Sequence, residues 1–520
     1  MVPAWYKLTV AGLFVLAAIG GGWFALRKKN WQLLDRVVAG LLGVGFLALA
    51  GMVAKCVLQA PFFGWNAARL APTFALVKGY RLYYPDGVGP VLNTIYGPVT
   101  ALVYLPAVLG QTPTAALVIA STVSAALFFA PWVWLTAACR DGRWRVLVLA
   151  AVLCFGLLTL RSYPLNYGAF CIHADAPALG FGGLACVALY LMRRADDWVL
   201  LAVSAVAAAL SVSSKQTIAL LPLGLAVCVW RWWGVRALRR YVVLLAVVGL
   251  GLSLLFVAWF GLSAMFFNMV VVPGRHPWQG ARLEWLQRAA LELLAESWPA
   301  LVVVAAGAVV SVALKQPLGR WTVFAVAGAV NAGGAVLNRV KVGGDLNAFN
   351  LSLYFWLIGA ALLVVEAARA ESALRKVAGA AAKALLTAGI IGLLAIAPSG
   401  LQNLYRMATV FRFNQQEVAC RLLRQNPGIL YFPNTPLAHL MAEGRLYHLS
   451  YAMIDRRLSG FPLRAEHFRA HIPQRVRVVV FGSLWSPTET ETHAEILRFL
   501  PGFVLQARDP AGWAIYVRPG

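Results

Sequence analysis

Acidic residues are scarce in this chain: 20 Asp and Glu in 520 residues, against 45 Lys and Arg. Charged residues of both signs reach only 12%, where a soluble protein has about 25%. That excludes an ordinary water-soluble globule. It also leaves no dense carboxylate cluster of the kind that cages a metal ion. The seven cysteines fall mostly inside apolar runs and show no CxxC spacing. This excludes a disulfide framework and a zinc ribbon, and they read as small core hydrophobes. The first apolar run, 8–26, has only Lys7 ahead of it and no small-residue cleavage site behind it, so a retained span is expected. No internal repeat is visible.

What fills the chain is apolar: 61% hydrophobic residues and a mean hydropathy of +0.72. A membrane span needs roughly 20 such residues. The stretches 8–26, 37–58, 114–138, 146–160, 177–192, 198–213, 218–233, 241–262, 298–314, 321–338, 348–367 and 384–399 approach that length. The expected fold is therefore an all-α polytopic bundle of about 12 transmembrane helices over residues 1–400, with a small extramembrane α/β domain over 401–520. Most of the basic excess sits in short loops, where positive-inside sorting places it. Nucleic-acid binding is not expected. Six basic clusters, the first Arg27–Lys28–Lys29–Arg36 and the last Arg369–Arg375–Lys376–Lys383, share one side only if segment 95–110 does not cross. That segment reads IYGPVTALVYLPAVLG. It is broken by Pro98 and Pro106, so a re-entrant or interfacial element is expected.

The opposite face collects the unusual loops. Loop 59–95 is long, aromatic and rich in Pro and Gly. Loop 161–176 contains RSYPLNYGAFCIHAD, ending in Asp175. SSKQT places Lys215 at the end of a span. Loop 263–297 holds Arg275, His276 and Glu284, and NRVKVGGDLNAFN spans 338–350. A carboxylate beside a span is costly unless solvated or paired, which marks Asp175 as a candidate functional group. It would also serve as a simple helix-start residue ahead of Pro177. Beyond residue 412, strand patterns at 428–432, 476–481, 503–507 and 513–517 alternate with helical patterns near 414–425, 436–443 and 489–499. No Gly-rich phosphate loop or nucleophile elbow accompanies them, so a lid or scaffold role is expected there.

These motifs, in this order, resemble the GT-C superfamily of integral-membrane glycosyltransferases, of the polyprenyl-phosphate-sugar-dependent, family 39 or mannosyltransferase-like kind. The resemblance covers roughly 37–400. It is carried by LVKGYRLYYP followed by IYGPVTALVYLP, by HADAPALGFGGLA, by SSKQT and by KVGGDLN. It implies a polyprenyl-phosphate-linked sugar donor, an extracytoplasmic acceptor (lipid, glycan or protein) and an inverting displacement assisted by a carboxylate base. It also implies two loop acids flanking the reacting centre. The second maps to Asp175. Where the first is expected, in GWNAARLAP, this chain has Asn66, which leaves Asp86 as the loop's remaining carboxylate.

The chemistry needs a base near the acceptor hydroxyl, a part for Asp175 or Asp86. It also needs fixed cations where the leaving phosphate gathers charge. Arg339 and Lys341 come first, then Lys215 and Arg69; each is equally compatible with anchoring at the headgroups. His173 would orient Asp175, or be an ordinary structural histidine. Asn66, Tyr96 and Asp345 complete the expected substrate-binding set, although Tyr96 also suits an aromatic belt. A divalent cation, Mg or Mn, would have a place bridging Asp175 and the phosphate. The expected location is the bacterial inner (plasma) membrane, with the site and the C-terminal domain extracytoplasmic. The competing readings are a transporter or flippase for a lipid-linked or anionic solute, whose site would lie near the bilayer midplane, and an assembly subunit.

Overall fold

The computed structural model describes residues 31–92, 94–313, 315–368, 392, 414–482, 487–508 and 512–519. The expected spans 8–26 and, apart from residue 392, 384–399 lie outside them. Within them, the membrane part consists of α1 (Trp31–Leu58), α2 (Gly64–Val77), α3 (Pro113–Ala138), α4 (Gly142–Arg161), α5 (Tyr163–Phe170), α6 (Asp175–Leu191), α7 (Trp198–Ser214), α8 (Leu221–Phe260), α9 (Arg282–Ala313), α10 (Thr322–Arg339) and α11 (Asn350–Ala368).

By length and composition, six helical segments among the described residues suffice to cross a membrane, or seven if the bent pair α5–α6 is one span. The expected count of twelve is not reached. One reason is length: α6 and α7 have only 17 residues each. The expected spans 218–233 and 241–262 are two helices that follow one another through a kink at Gly234, together spanning the 40 residues of α8. Laid straight, those residues would measure about 60 Å, twice the hydrocarbon thickness. They break at Gly234, whose φ of 79° lies in the left-handed region open to glycine. Segment 95–110 does not form a long helix. It makes two short turns, Val99–Leu102 and Leu105–Leu109.

The main core joins α3, α4, α6, α7, α8, α10 and α11 through Phe128, Trp132, Phe155, Leu179, Leu201, Leu221, Phe324, Tyr354 and Phe355. Segment 95–110 is pressed against the end of α7. A Cβ on Gly97 would lie 1.9 Å from the Ser213 carbonyl oxygen, the Gly97 N–H donates to Ser214 O at 3.2 Å, and Thr100 Oγ1 donates to the same carbonyl at 2.7 Å. Only glycine permits that approach, and it sets Tyr96 beside Lys215.

The C-terminal domain contains α12 (Gln415–Gln425), β1 (Leu430–Tyr431), α13 (Pro436–Ala442), α14 (Ser450–Leu458), α15 (Ala465–Ala470), β2 (Val478–Phe481), α16 (Pro487–Phe499), β3 (Val504–Arg508) and β4 (Ala514–Val517). Its sheet order is β1-β2-β4-β3, with β1 and β2 parallel and the rest antiparallel. Alternation along β2 splits the packing. Val479 and Phe481 join Phe468 and Ile496 on one face, while Val480 joins Leu423 and Trp513 on the other.

The domain is fastened to the membrane part. Leu437 and Leu440 of α13 share a core with Ala67, Leu70 and Ala71 of α2. Asn414 caps α12, and its Nδ2 donates at 2.7 Å to Thr114 in the first turn of α3. The first loop is pinned as well. The Val91 N–H donates to His448 Nδ1 at 3.1 Å, Leu449 N–H donates to Val91 O, and His467 Nε2 bonds Gly89 O at 2.8 Å.

Burial, reinforced by His471 and His467, pushes the His448 imidazole down to about 3 from its ordinary 6.5. The unfolded chain therefore takes up a proton below pH 6.5 that the folded domain refuses. The stability is present above about pH 6.5 and is lost as pH falls towards 3, at about 1.4 kcal/mol per unit. The melting temperature is expected to drop between pH 7 and pH 5, and to drop measurably less in His448→Gln, whose amide oxygen can still accept from Val91. Equal pH dependence in the two proteins would contradict the assignment.

Candidate active site

Asp175 opens α6 just after the chain bends by 94° between α5 and α6. The first turn of a helix favours an anion. Here the carboxylate is 0% exposed, and it needs partners. Lys215, placed by the end of α7, donates its ammonium to Oδ1. His173 Nδ1 lies 2.8 Å from Oδ2, and Asn347 Nδ2 donates to the same oxygen at 2.9 Å. Lys215 is equally buried and His173 nearly so. On its other edge, His173 Nε2 is 3.0 Å from the Tyr96 hydroxyl. His173 thereby bridges the Tyr96 hydroxyl and the Asp175 carboxylate. Tyr104 supports it from behind by donating to His173 O at 2.9 Å and accepting from His173 N–H.

Arg69, one helical turn after Trp65 on α2, lies over this group. Its guanidinium carbon is 5.2 Å from the centre of the Tyr96 ring and 5.7 Å from that of Trp65. Its Nε and Nη1 are buried and have no hydrogen-bond partner among the described residues. A small cavity of about 20 Å³ opens between Arg69, Tyr96, Tyr104 and His173. A buried cation with two unused donors is expensive, and such donors suit an anion brought by a ligand.

Five of the ten expected site residues thus come together: Arg69, Tyr96, His173, Asp175 and Lys215. The others are placed differently. Asn66 is 1% exposed, with Nδ2 donating to Ala60 O at 3.0 Å and Oδ1 accepting from Ile172 N–H at 2.9 Å. It ties the loop before α2 to the loop carrying His173 and has nothing left for a substrate. A carboxylate could not donate to Ala60, which gives the amide its local reason. Arg339 is spent on Glu292, with Nε to Oε2 at 2.9 Å, and on Gly344 O. Lys341 donates to the carbonyls of Gly274 and His276. Neither expected phosphate cation is free. Asp345 accepts from Tyr163 OH and caps Leu346. Asp86 is more than half exposed and accepts from Arg456 Nη1 at 3.1 Å; no contact joins it to Asp175.

Asp175 itself is walled off from solvent, with both oxygens occupied. That differs from a base waiting for an acceptor. Among the described residues no group of three or more His, Cys, Asp or Glu is arranged to hold a metal ion. Sequence reasoning did not single out Asn347, Tyr104 or the C-terminal helix α14. Only KVGGDLN hinted at Asn347, since the loop's value lies in its amide and not in its charges. From α14, Tyr451 stacks on Trp65 with ring centres 3.9 Å apart, and Asp455 Oδ1 lies 3.8 Å from His276 Nε2.

No family model matches the chain, and no curated protein sequence matches it. Its structure is similar to the crystal structure of ArnT from Cupriavidus metallidurans bound to undecaprenyl phosphate, with a TM-score of 0.54 at 12% identity, covering 95% of this chain and 98% of that one. The apo form of the same protein gives a TM-score of 0.48 at the same identity and coverage. The fold of this chain is therefore similar to that of ArnT along nearly its whole length.

Proposed function

We propose that this protein is a membrane glycosyltransferase that moves a sugar from a polyprenyl-phosphate donor to an acceptor on the non-cytoplasmic side. The observation that carries the reading is the Arg69 guanidinium. It is buried between Trp65 and Tyr96 with Nε and Nη1 unpartnered, in a fold whose solved counterpart holds undecaprenyl phosphate. A polyprenyl phosphate brings the two things this place lacks, an anion for the guanidinium and a tail for the membrane.

In the reaction, negative charge grows on the phosphate oxygens as the bond to the anomeric carbon breaks. Arg69 meets that charge with two N–H groups already in position, so no solvent has to reorganise. Asp175 acts as a positioning residue: it neutralises Lys215 and turns His173 so that Nε2 holds Tyr96 beneath the guanidinium. These groups sit at helix ends beside the C-terminal domain. A carrier would more often place them near the bilayer midplane, away from such a domain.

The direct test incubates the full chain in lipid nanodiscs with radiolabelled undecaprenyl-phosphate-linked hexoses and pentoses and membrane glycolipid acceptors. Label should move to acceptor with release of undecaprenyl phosphate. No turnover of any donor would sink the reading. Arg69→Ala is expected to weaken undecaprenyl phosphate binding by about 10- to 100-fold, the worth of a charged hydrogen bond or two. Arg339→Ala, already engaged by Glu292, should change it less than about threefold. Asp175→Asn should abolish transfer and also destabilise the protein by about 3–5 kcal/mol, because it strands the buried Lys215 ammonium. A normal melting temperature with normal transfer would remove Asp175 from this role.

A further inference from the structure

Resting on the transferase reading above, we infer that Asp455, supplied by the C-terminal domain, is the carboxylate that takes the proton of the acceptor hydroxyl. The reaction needs such a group. The hydroxyl oxygen forms a bond to the anomeric carbon, the bond from that carbon to the phosphate oxygen breaks, and its electron pair leaves on the phosphate. The hydroxyl proton passes to a base and then to water.

The carboxylates around the site are already committed, with one exception. Asp175 is enclosed by Lys215, His173 and Asn347. Asp86 is bonded to Arg456, Asp345 to Tyr163, and Glu292 to Arg339 and Arg288. The Asp455 carboxylate accepts no hydrogen bond from any described residue. Its nearest partner, His276 Nε2, stands 3.8 Å away, beyond hydrogen-bond reach, and the side chain keeps 20% of its surface exposed. His276 Nε2 is itself buried without a hydrogen-bond partner. A hydroxyl lying beside that gap would satisfy both, donating to Asp455 Oδ1 while accepting from an Nε2–H.

Position supports the role. Tyr451 and Asp455 are four residues apart on α14, so they share a helix face. Trp65 and Arg69 have the same spacing on α2. Tyr451 stacks on Trp65, and the Arg69 charge acts on the Asp455 carboxyl. The base and the phosphate cation thereby come from two different domains, on helices that pack together where Tyr451 meets Trp65. Burial raises the Asp455 carboxyl above its ordinary value, against His276, Arg69 and Arg456, which lower it. A net rise makes a carboxylate a better proton acceptor.

The experiment uses the full chain in nanodiscs and whichever undecaprenyl-phosphate sugar the wild type turns over. Asp455→Asn should lower kcat by about 10²- to 10⁴-fold, the usual worth of general-base help. The donor KM, the binding of undecaprenyl phosphate read by tryptophan fluorescence, and the melting temperature should stay near wild type. Asp455→Glu should recover part of the lost kcat. A kcat for Asp455→Asn within tenfold of wild type overturns the inference. So does loss of undecaprenyl phosphate binding in that variant, which would make Asp455 a scaffold residue. Wild-type protein that turns over no donor sinks the transferase reading and this inference together; active Asp455→Asn sinks this inference alone.

Discussion

An ammonium and a carboxylate meet without water where α7 ends and α6 begins, and the geometry of the polar end of this bundle depends on that contact. Two lone charges in such a place would each cost several kcal/mol. Lys215 and Asp175 cancel one another, and the remaining lone pairs of Asp175 are met by His173 and Asn347. Each partner comes from a different segment: the α5–α6 bend, the end of α7, and the turn before α11. Breaking any one exposes an uncompensated group, so the three segments are held in one arrangement. His173 then carries that arrangement outward to Tyr96 and Arg69.

A second layer lies on the first. The C-terminal domain does not hang from the membrane part; it shares side chains with α2, hydrogen bonds with loop 80–91, and a cap with α3. Its helix α14 meets three separate features of the site region: Trp65 through Tyr451, His276 through Asp455, and Asp86 through Arg456. The domain is thereby packed and hydrogen-bonded to the membrane part at several separate points.

The helices were largely legible because their signal is local. A run of some 20 apolar residues has few other places to go, and the strand patterns at 428–432, 476–481, 503–507 and 513–517 correspond to β1, β2, β3 and β4. The number of spans was less legible. Helix length depends on neighbours that composition does not reveal, whereas the break at Gly234 falls in the gap between the expected spans 218–233 and 241–262. Charges in loops were the least legible of all. Arg339 and Lys341 looked like free cations, but Glu292 lies far away in sequence on α9, and the carbonyls of Gly274 and His276 come from another loop.

By itself, the sequence determined a membrane bundle with a polar α/β tail and marked residues 161–175 as the place where polar groups collect. Both follow from transfer energies that each residue carries with it wherever it goes. Which charges cancel and which stay unspent was decided only by tertiary structure. Pairing over a few ångströms depends on side chains separated by tens to hundreds of residues. The same Asp and Arg types become buried anchor, surface tie or unpaired group according to what the fold sets beside them.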